Sequence, residues 1–246
     1  MTNTTPTKRR AILGYDTNFK TIKGRKKGFA TGILYLAPSN QSGVMNTCKF
    51  ASKGCRIACL FSAGRGAMPS VIDARVSKTK LLFEHQEFFM KCLEKDVIKY
   101  KKKALKGGLE FVCRLNGTSD LDWEDVRFSD GQNIFEKFPE VQFYDYTKNF
   151  KRMLTFLKGG LPSNYQLTFS KSESNLEKVK KIVKLGGNVA VVFGGAIETY
   201  LGKKVINGDE SDLRFLDPKG VIVGLQAKGK AKNDCSGFVV TGKDLA

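Results

Sequence analysis

Three cysteines close together near the start of the chain carry the strongest chemical signal in this sequence. Cys48, Cys55 and Cys59 follow the spacing Cys-x6-Cys-x3-Cys. Thiolates bind iron–sulfur clusters and zinc, so a single loop with this spacing can wrap one metal centre. Three ligands leave one position open for a substrate, a cofactor, water or a fourth protein ligand such as Cys113 or Cys235. The spacing predicts a metal centre, and the alternative is three unrelated thiols in a polar loop.

Acidic side chains gather around the single tryptophan of the chain. They are Asp120, Asp122, Glu124 and Asp125, on both sides of Trp123. Carboxylates grouped in this way can bind Mg²⁺ for phosphoryl chemistry, as in a two-metal nuclease. They can equally cap the helix that follows, because Asp favours N-cap positions and acids favour first turns. Both interpretations stay open at this stage.

Another polar group follows an apolar run, in the sequence Tyr144-Asp145-Tyr146-Thr147-Lys148. Lys148 would assist a tyrosine nucleophile for DNA strand transfer, since it can lower the phenol pKa or stabilise developing charge. The alternation of a strand points Tyr144 and Tyr146 to the same face, so at least one of them is expected in the core. Lys148 is therefore a candidate substrate contact.

The composition excludes several classes of protein. With one histidine, His85, the chain cannot form two-Cys, two-His zinc fingers or the paired-histidine sites of metalloproteases and nicking enzymes. The formal net charge is +18, with basic stretches at residues 20–27, 99–106 and 228–232. A chain this basic is expected to attract polyanions, and nucleic acid is the predicted partner. The alternative is a solvated helix face with a basic N-terminal arm.

Length and hydropathy are typical of a globular chain that does not enter membranes. The 246 residues are enough for one large domain with a substantial core. No apolar run approaches the roughly 18 residues that span a bilayer, and the start of the chain lacks the apolar core of a secretory signal. We therefore expect a cytoplasmic protein without a membrane partner, with its cysteines present as thiols or metal ligands rather than as disulfides. Nothing in the sequence points to a particular oligomeric state.

Short apolar runs alternate with helical or polar segments, and these elements must position the polar groups. Strands are predicted at residues 33–37, 109–115, 141–146, 165–169, 189–193 and 221–225. Helical periodicity covers residues 69–106, with a break near His85, and residues 175–185. The alternation implies an α/β fold, either a partial (βα)6-type barrel or an open parallel sheet with flanking helices. We expect a basic N-terminal arm over residues 1–30 and a single α/β domain over residues 31–246, with ligands bound at the carboxyl ends of the strands.

This arrangement resembles the radical S-adenosylmethionine (SAM) enzymes, whose partial barrel carries a three-cysteine [4Fe–4S] site after the first strand. The resemblance implies that Cys48, Cys55 and Cys59 hold the cluster. It also implies SAM contacts after the second and fourth strands, from Gly117, Thr118, Ser119, Asp120, Ser170, Lys171 and Ser172. The cysteine spacing is longer than is usual in that family, and Ala58 stands where the family usually has an aromatic residue.

A closer resemblance covers most of the chain. The segment from Thr47 to Gly66, the segment from Arg114 to Asp120 and the pair Trp123-Glu124 resemble the bacteriophage gene-product-88-like proteins. That resemblance implies a phage or mobile-element origin, and with it the host cytoplasm as the location. It supplies no mechanism.

The leading hypothesis is a phage-type iron–sulfur enzyme with radical-SAM-like chemistry on a nucleic acid or a nucleotide. Asp120, Lys148 and Lys171 would then contact the cofactor or the substrate at the mouth of the barrel. The second hypothesis is a nucleic-acid-binding or replication-associated protein whose cysteines hold structural zinc. The third is a metal-dependent nuclease that binds Mg²⁺ through Asp120, Asp122 and Glu124.

Overall fold

The computed structural model describes residues 11–16 and 19–242, and in this part of the chain seven α-helices and nine β-strands form the regular structure. The helices are α1 (Phe19–Gly24), α2 (Lys53–Ile57), α3 (Pro69–Glu84), α4 (Gln86–Lys106), α5 (Ile134–Lys137), α6 (Phe150–Leu157) and α7 (Leu176–Lys184). The strands are β1 (Leu13–Tyr15), β2 (Phe29–Leu34), β3 (Glu110–Arg114), β4 (Gln142–Thr147), β5 (Tyr165–Ser170), β6 (Val189–Phe193), β7 (Thr199–Tyr200), β8 (Lys203–Asn207) and β9 (Ile222–Gln226).

The strands form one open, mostly parallel sheet in the order β1-β2-β3-β4-β5-β6-β9-β8-β7. Strands β2, β3 and β4 run parallel to one another, as do β5, β6, β9 and β8. Strand β1 is antiparallel to β2, and β7 is antiparallel to β8. The predicted α/β class with an open parallel sheet and flanking helices is therefore confirmed, and the sheet does not close into a barrel.

The first predicted strand is displaced along the chain. It was expected at residues 33–37, whereas β2 is Phe29–Leu34. Beyond Leu34 the backbone bonds to side chains instead of to a neighbouring strand: the Ala37 N–H donates to Thr79 Oγ1 at 2.8 Å, and Thr47 Oγ1 donates to the Ala37 carbonyl at 2.7 Å. Leu36 and Ala37 are buried in the core although they lie outside the sheet, so their apolar character does not mark a strand.

The predicted basic arm contains regular structure in the part that is described. Ile12 and Leu13 are buried, and β1 pairs with β2. The buried carboxylate of Asp96 on α4 accepts hydrogen bonds from the Ile12 N–H at 2.6 Å and the Leu13 N–H at 3.0 Å. The described part of the predicted arm therefore includes a strand that a contact from α4 holds against the sheet, and the arm over residues 1–30 stays a prediction. Residues 1–10 of the predicted arm lie outside the described residues.

The predicted helical segment 69–106 is divided at His85, as expected. Helix α3 ends at Glu84, and α4 begins at Gln86. Most apolar side chains of α4 are buried, with Ile98 and Leu105 exposed, and most of its lysines are exposed as well. After α4 the chain turns at Gly107 and Gly108, where Gly108 adopts a φ of 66°, a conformation that favours glycine. This amphipathic pattern directs the charged side of α4 towards solvent.

Two compact units make up the chain. The first consists of Met1–Cys48 and Pro69–Phe143, and the second of Lys49–Met68 and Tyr144–Ala246. Strand β4 begins in the first unit and ends in the second. The prediction of a single domain over residues 31–246 stays a prediction. Among the described helices, none is both long and apolar enough to cross a membrane.

Candidate functional site

In the first unit, the loop that follows β3 is organised around the side chain of Asn116. Its Oδ1 accepts hydrogen bonds from Ser119 Oγ at 2.8 Å, the Leu121 N–H at 3.0 Å and Trp123 Nε1 at 3.2 Å. Its Nδ2 donates to the Leu121 carbonyl at 3.0 Å. Asn116 and Trp123 are both buried, so these bonds are shielded from water. One side chain therefore fixes the shape of the loop that was predicted to contact a cofactor.

The next two residues of this loop press against the end of β2. The Gly117 N–H donates to the Leu34 carbonyl at 3.0 Å, and a Cβ at Gly117 would lie 2.7 Å from the Tyr35 ring. Thr118 Oγ1 donates to the Leu36 carbonyl at 2.6 Å. Only glycine fits at position 117, and the hydroxyls of Thr118 and Ser119 already bond to the protein's own atoms. Their predicted role in SAM binding stays a prediction.

Cys48 lies beside this loop, although about 70 residues separate the two in sequence. Its Sγ donates to the Thr118 carbonyl at 3.7 Å, and its N–H donates to Asn46 Oδ1 at 2.9 Å. The Asp120 N–H donates to the Thr47 carbonyl at 2.8 Å. The first unit thus brings one predicted metal ligand together with the predicted cofactor loop.

Two of the carboxylates around Trp123, Glu124 and Asp125, lie on a short 3-10 turn, Trp123–Asp125, that the buried indole anchors. Trp123 stacks on Phe89 of α4, with ring centroids 6.4 Å apart. Asp122 occupies the N-cap position of this turn without a capping hydrogen bond from its side chain. Glu124 and Asp125 lie in the first turn, and both the capping interpretation and the Mg²⁺ interpretation of these acids stay predictions.

In the second unit, Cys55 and Cys59 lie on and just after the short helix α2. Ser52 caps this helix: its Oγ accepts from the Cys55 N–H at 3.2 Å and donates to Glu173 Oε2 at 2.7 Å. The Gly54 N–H donates to Glu173 Oε1 at 2.7 Å. A Cβ at Gly54 would lie 2.8 Å from Glu173 Cδ, so glycine is needed for this close approach. Glu173 thus clamps the cysteine segment from the loop after β5.

The hydrogen bonds of the clamp determine the protonation state of Glu173. Partial burial acts to raise the pKa of this carboxyl, but the hydrogen bonds from Ser52 and from the Gly54 N–H outweigh burial and hold the pKa below its ordinary value of 4.5. The carboxylate is therefore ionised at neutral pH, and both of its oxygens serve as acceptors.

Changing Glu173 to glutamine is expected to lower the free energy of unfolding by about 1–2 kcal/mol at neutral pH, because charge-assisted hydrogen bonds are replaced by weaker ones. Since the folded-state pKa is depressed, the stabilisation is present above the unfolded-state value and is lost as the pH falls through the folded-state value. Urea unfolding should therefore show that the wild type has a larger free energy of unfolding than the variant at pH 7, and that this difference shrinks below about pH 4. The control is Glu177→Gln at the exposed pair with Lys180. A difference in free energy of unfolding that stays constant with pH would contradict this role of the carboxylate.

The other predicted residues of the second unit converge on its C-terminal segment. Lys171 is buried and donates from Nζ to the Gly237 carbonyl at 2.8 Å. Lys148 Nζ lies 5.7 Å from the centre of the Phe238 ring. Phe238 itself packs with Ala58 in a small apolar cluster beside Cys55. Lys148, Lys171 and the cysteine segment are therefore neighbours of one stretch of chain.

Ser170 and Ser172 flank Lys171, and their backbone groups are bonded to Asn175. The Ser172 N–H donates to Asn175 Oδ1 at 2.7 Å, and Asn175 Nδ2 donates to the Ser170 carbonyl at 3.0 Å. The side chain of Asn175 closes this loop before α7 begins. Asn175, Asn116 and Glu173 were not predicted as site residues. The role of Glu173 depends on contacts with residues about 120 positions away, whereas both asparagines bond within their own loops.

The described residues contain no group of three or more His, Cys, Asp or Glu side chains placed to hold a metal ion. Cys48 belongs to the first unit, and Cys55 and Cys59 belong to the second. Of the two predicted fourth ligands, Cys113 is buried in β3 and Cys235 is exposed. None of the six cysteines, all of which are described, forms a disulfide, and the iron–sulfur, zinc and Mg²⁺ assignments stay predictions.

The first and third of the predicted basic stretches are partly neutralised by acids. In the first, Arg25 lies 3.4 Å from Asp16. In the third, Lys228 lies 2.6 Å from Asp209, which also accepts a hydrogen bond from the Gln226 N–H. These ion pairs reduce the charge that either stretch presents to a polyanion.

Four lysines of the second stretch form an exposed row on α4 together with the preceding Lys95. We call these five residues the lysine face: Lys95, Lys99, Lys102, Lys103 and Lys106. Within the part of the chain that the structure describes, no carboxylate pairs with any of these five lysines. Lys101, on another side of the helix, pairs with Glu140. The lysine face is therefore a continuous positive strip.

Comparison with known families decides the relationship that the sequence motifs suggested. A family model described as gene product 88 matches residues 8–241. The chain belongs to the gene product 88 family. Membership fits the predicted bacteriophage origin, whereas the resemblance to radical SAM enzymes finds no support. No curated protein and no solved structure matches the chain.

Proposed function

We propose that this member of the gene product 88 family binds nucleic acid through the lysine face of α4. The observation that carries the proposal is the row of exposed ammonium groups that no carboxylate neutralises among the described residues. Each ammonium that meets a phosphate releases a condensed counterion, which favours binding without requiring base recognition. The net charge of +18 adds long-range attraction for a polyanion.

The spacing of the lysine face suits a linear polyanion. Steps of three and four residues keep Lys95, Lys99, Lys102 and Lys106 on one side of the helix. At about 1.5 Å of rise per residue, the row from Lys95 to Lys106 is about 16 Å long. A nucleic-acid backbone can therefore contact several of these lysines at once.

The alternative, that the lysine face is charged only because it is exposed to solvent, explains its sequence less well than a bound polyanion does. Lysines four residues apart, such as Lys99 and Lys103, repel each other, and each such pair costs the helix about 0.2–0.5 kcal/mol. The helix dipole offsets this cost only in the last turn, where Lys103 and Lys106 lie. The start of α4 shows the alternative arrangement, in which Lys91 pairs with Glu87 at 2.6 Å. A phosphate ligand accounts for charge that the helix itself leaves uncompensated.

Lysine acetylation in the presence and absence of an oligonucleotide of about 20 nucleotides tests this proposal. We expect the modification rates of Lys99, Lys102 and Lys106 to fall at least about fivefold when the oligonucleotide is bound. Lys180 and Lys184 on α7 serve as internal controls whose rates should not change. Equal protection of both groups, or no protection of either, would overturn the assignment of the lysine face.

A second candidate is the iron–sulfur enzyme, or the structural zinc protein, predicted from the cysteine spacing. It is favoured by the three half-buried cysteines and by the Glu173 clamp, which holds the segment that carries Cys55 and Cys59. Anaerobic purification followed by iron, sulfide and zinc analysis tests it. About four irons and four sulfides, lost in Cys55→Ser, would support a cluster. Stoichiometric zinc would support the structural alternative, and neither metal would overturn both.

A further inference from the structure

A stacked pair of tyrosines lies beside the lysine face. Tyr15, at the end of β1, and Tyr100 of α4 have ring centroids 4.9 Å apart and ring planes 25° apart. Both side chains are only half-buried. The pair is held in place by the pairing of β1 with β2 and by the Tyr100 hydroxyl, which donates to the Leu13 carbonyl at 3.4 Å.

Two members of the lysine face lie over these rings. Lys103 Nζ is 4.8 Å from the centre of the Tyr15 ring, and Lys99 Nζ is 5.2 Å from the centre of the Tyr100 ring. Both lysines are exposed and have flexible stems, so each ammonium can leave its ring for a phosphate oxygen. Aromatic faces and mobile cations therefore lie side by side on one accessible surface.

We propose that the preferred ligand is single-stranded nucleic acid, with a base stacked on the Tyr15–Tyr100 pair and the flanking phosphates on Lys99 and Lys103. This inference rests on the proposed function of the lysine face. A positively charged strip beside aromatic rings is the usual way to bind single strands without sequence preference, since every base offers a π face. A duplex hides the faces of its bases and can use only the lysines.

Stacking of a base on the tyrosine rings is stronger than the cation–π contacts that the lysines make with them. An exposed cation–π contact changes an equilibrium constant by about two- to fivefold. Stacking of a base on an aromatic side chain changes it by about five- to 100-fold. Displacement of Lys99 or Lys103 by a base is therefore favourable, and the displaced ammonium then contacts the adjacent phosphate.

Fluorescence anisotropy with four labelled ligands tests the inference on the unaltered protein: a single-stranded DNA of mixed sequence, the RNA of the same sequence, the DNA duplex, and an abasic strand of the same length and charge. We expect the single-stranded DNA and RNA to bind at least about tenfold more tightly than the duplex and the abasic strand. Similar affinity for DNA and RNA is expected, because stacking does not involve the 2′-hydroxyl.

A pair of variants at Tyr100 localises the effect. Tyr100→Phe keeps the ring and should retain at least about half of the single-strand affinity, while Tyr100→Leu should lose about five- to 100-fold. Neither change should alter duplex binding, which serves as the control for a folded lysine face. Equal affinity for all four ligands would overturn the single-strand inference but leave nucleic-acid binding intact. Absence of binding to every ligand would overturn the proposed function as well.

Discussion

Replacing Lys99, Lys102 and Lys106 together with glutamine is expected to weaken binding of a single-stranded oligonucleotide about 100-fold at 0.1 M salt. For single strands, each neutralised phosphate contributes about 0.7 to the slope of log K against log salt concentration. Each contact is therefore worth about fivefold at 0.1 M salt, and the loss of three contacts reduces the slope by about 2. Anisotropy titrations at several salt concentrations measure both quantities.

The matched control changes Lys180, Lys184 and Lys204 to glutamine, which removes the same charge from exposed positions in the second unit. Because only long-range attraction is lost, we expect less than about a threefold decrease in affinity and an almost unchanged slope. If the two triple variants weaken binding equally, net charge rather than the lysine face is responsible. That result would contradict the assignment of the binding surface.

Replacing Asn116 with alanine is expected to lower the free energy of unfolding by at least about 3 kcal/mol. The change leaves the Ser119 hydroxyl, the Leu121 N–H and Trp123 Nε1 without their acceptor, and a buried donor without a partner costs about 1–3 kcal/mol. Trp123 is the only tryptophan, so its fluorescence during urea unfolding reports directly on the affected loop.

Asn133→Ala is the control for this stability measurement. Asn133 is also a buried asparagine of the first unit, but it caps the short helix α5 through the N–H groups of Phe135 and Glu136. Loss of an N-cap costs about 1 kcal/mol. A destabilisation by Asn116→Ala that is no larger than that by Asn133→Ala would show that Asn116 does not organise its loop.

Most of the parallel sheet was predictable, because a strand covered on both faces appears in a sequence as a short apolar run. The predicted segment 189–193 coincides with β6, and the break at His85 separates α3 from α4. Strand β1, within the predicted arm, was missed for a physical reason. The many charges of residues 11–30 favoured an arm, whereas β1 depends on two backbone bonds to Asp96, more than 80 residues away.

The candidate site was predictable in its residue types but not in its grouping. Cys48, Cys55 and Cys59 are close in sequence, yet Cys48 belongs to the first compact unit and the other two belong to the second. The stacking of Tyr15 on Tyr100 could not be foreseen, because a strand that is not predicted cannot be placed beside a helix. The polar residues at the strand ends were predicted from the alternation of strands and helices. The side chains that hold them in place, Asn116, Glu173 and Asn175, were not predicted.

The salt dependence of nucleic-acid binding by the unaltered protein tests the central claim most directly. If the five lysines of the lysine face contact phosphates of a single strand, log K should fall with log salt concentration with a slope of about −3.5. Anisotropy titrations between about 0.05 and 0.3 M salt are sufficient to measure this slope. An affinity that does not change with salt concentration, or the absence of binding at the lowest salt concentration, would contradict the claim that this protein binds nucleic acid through α4.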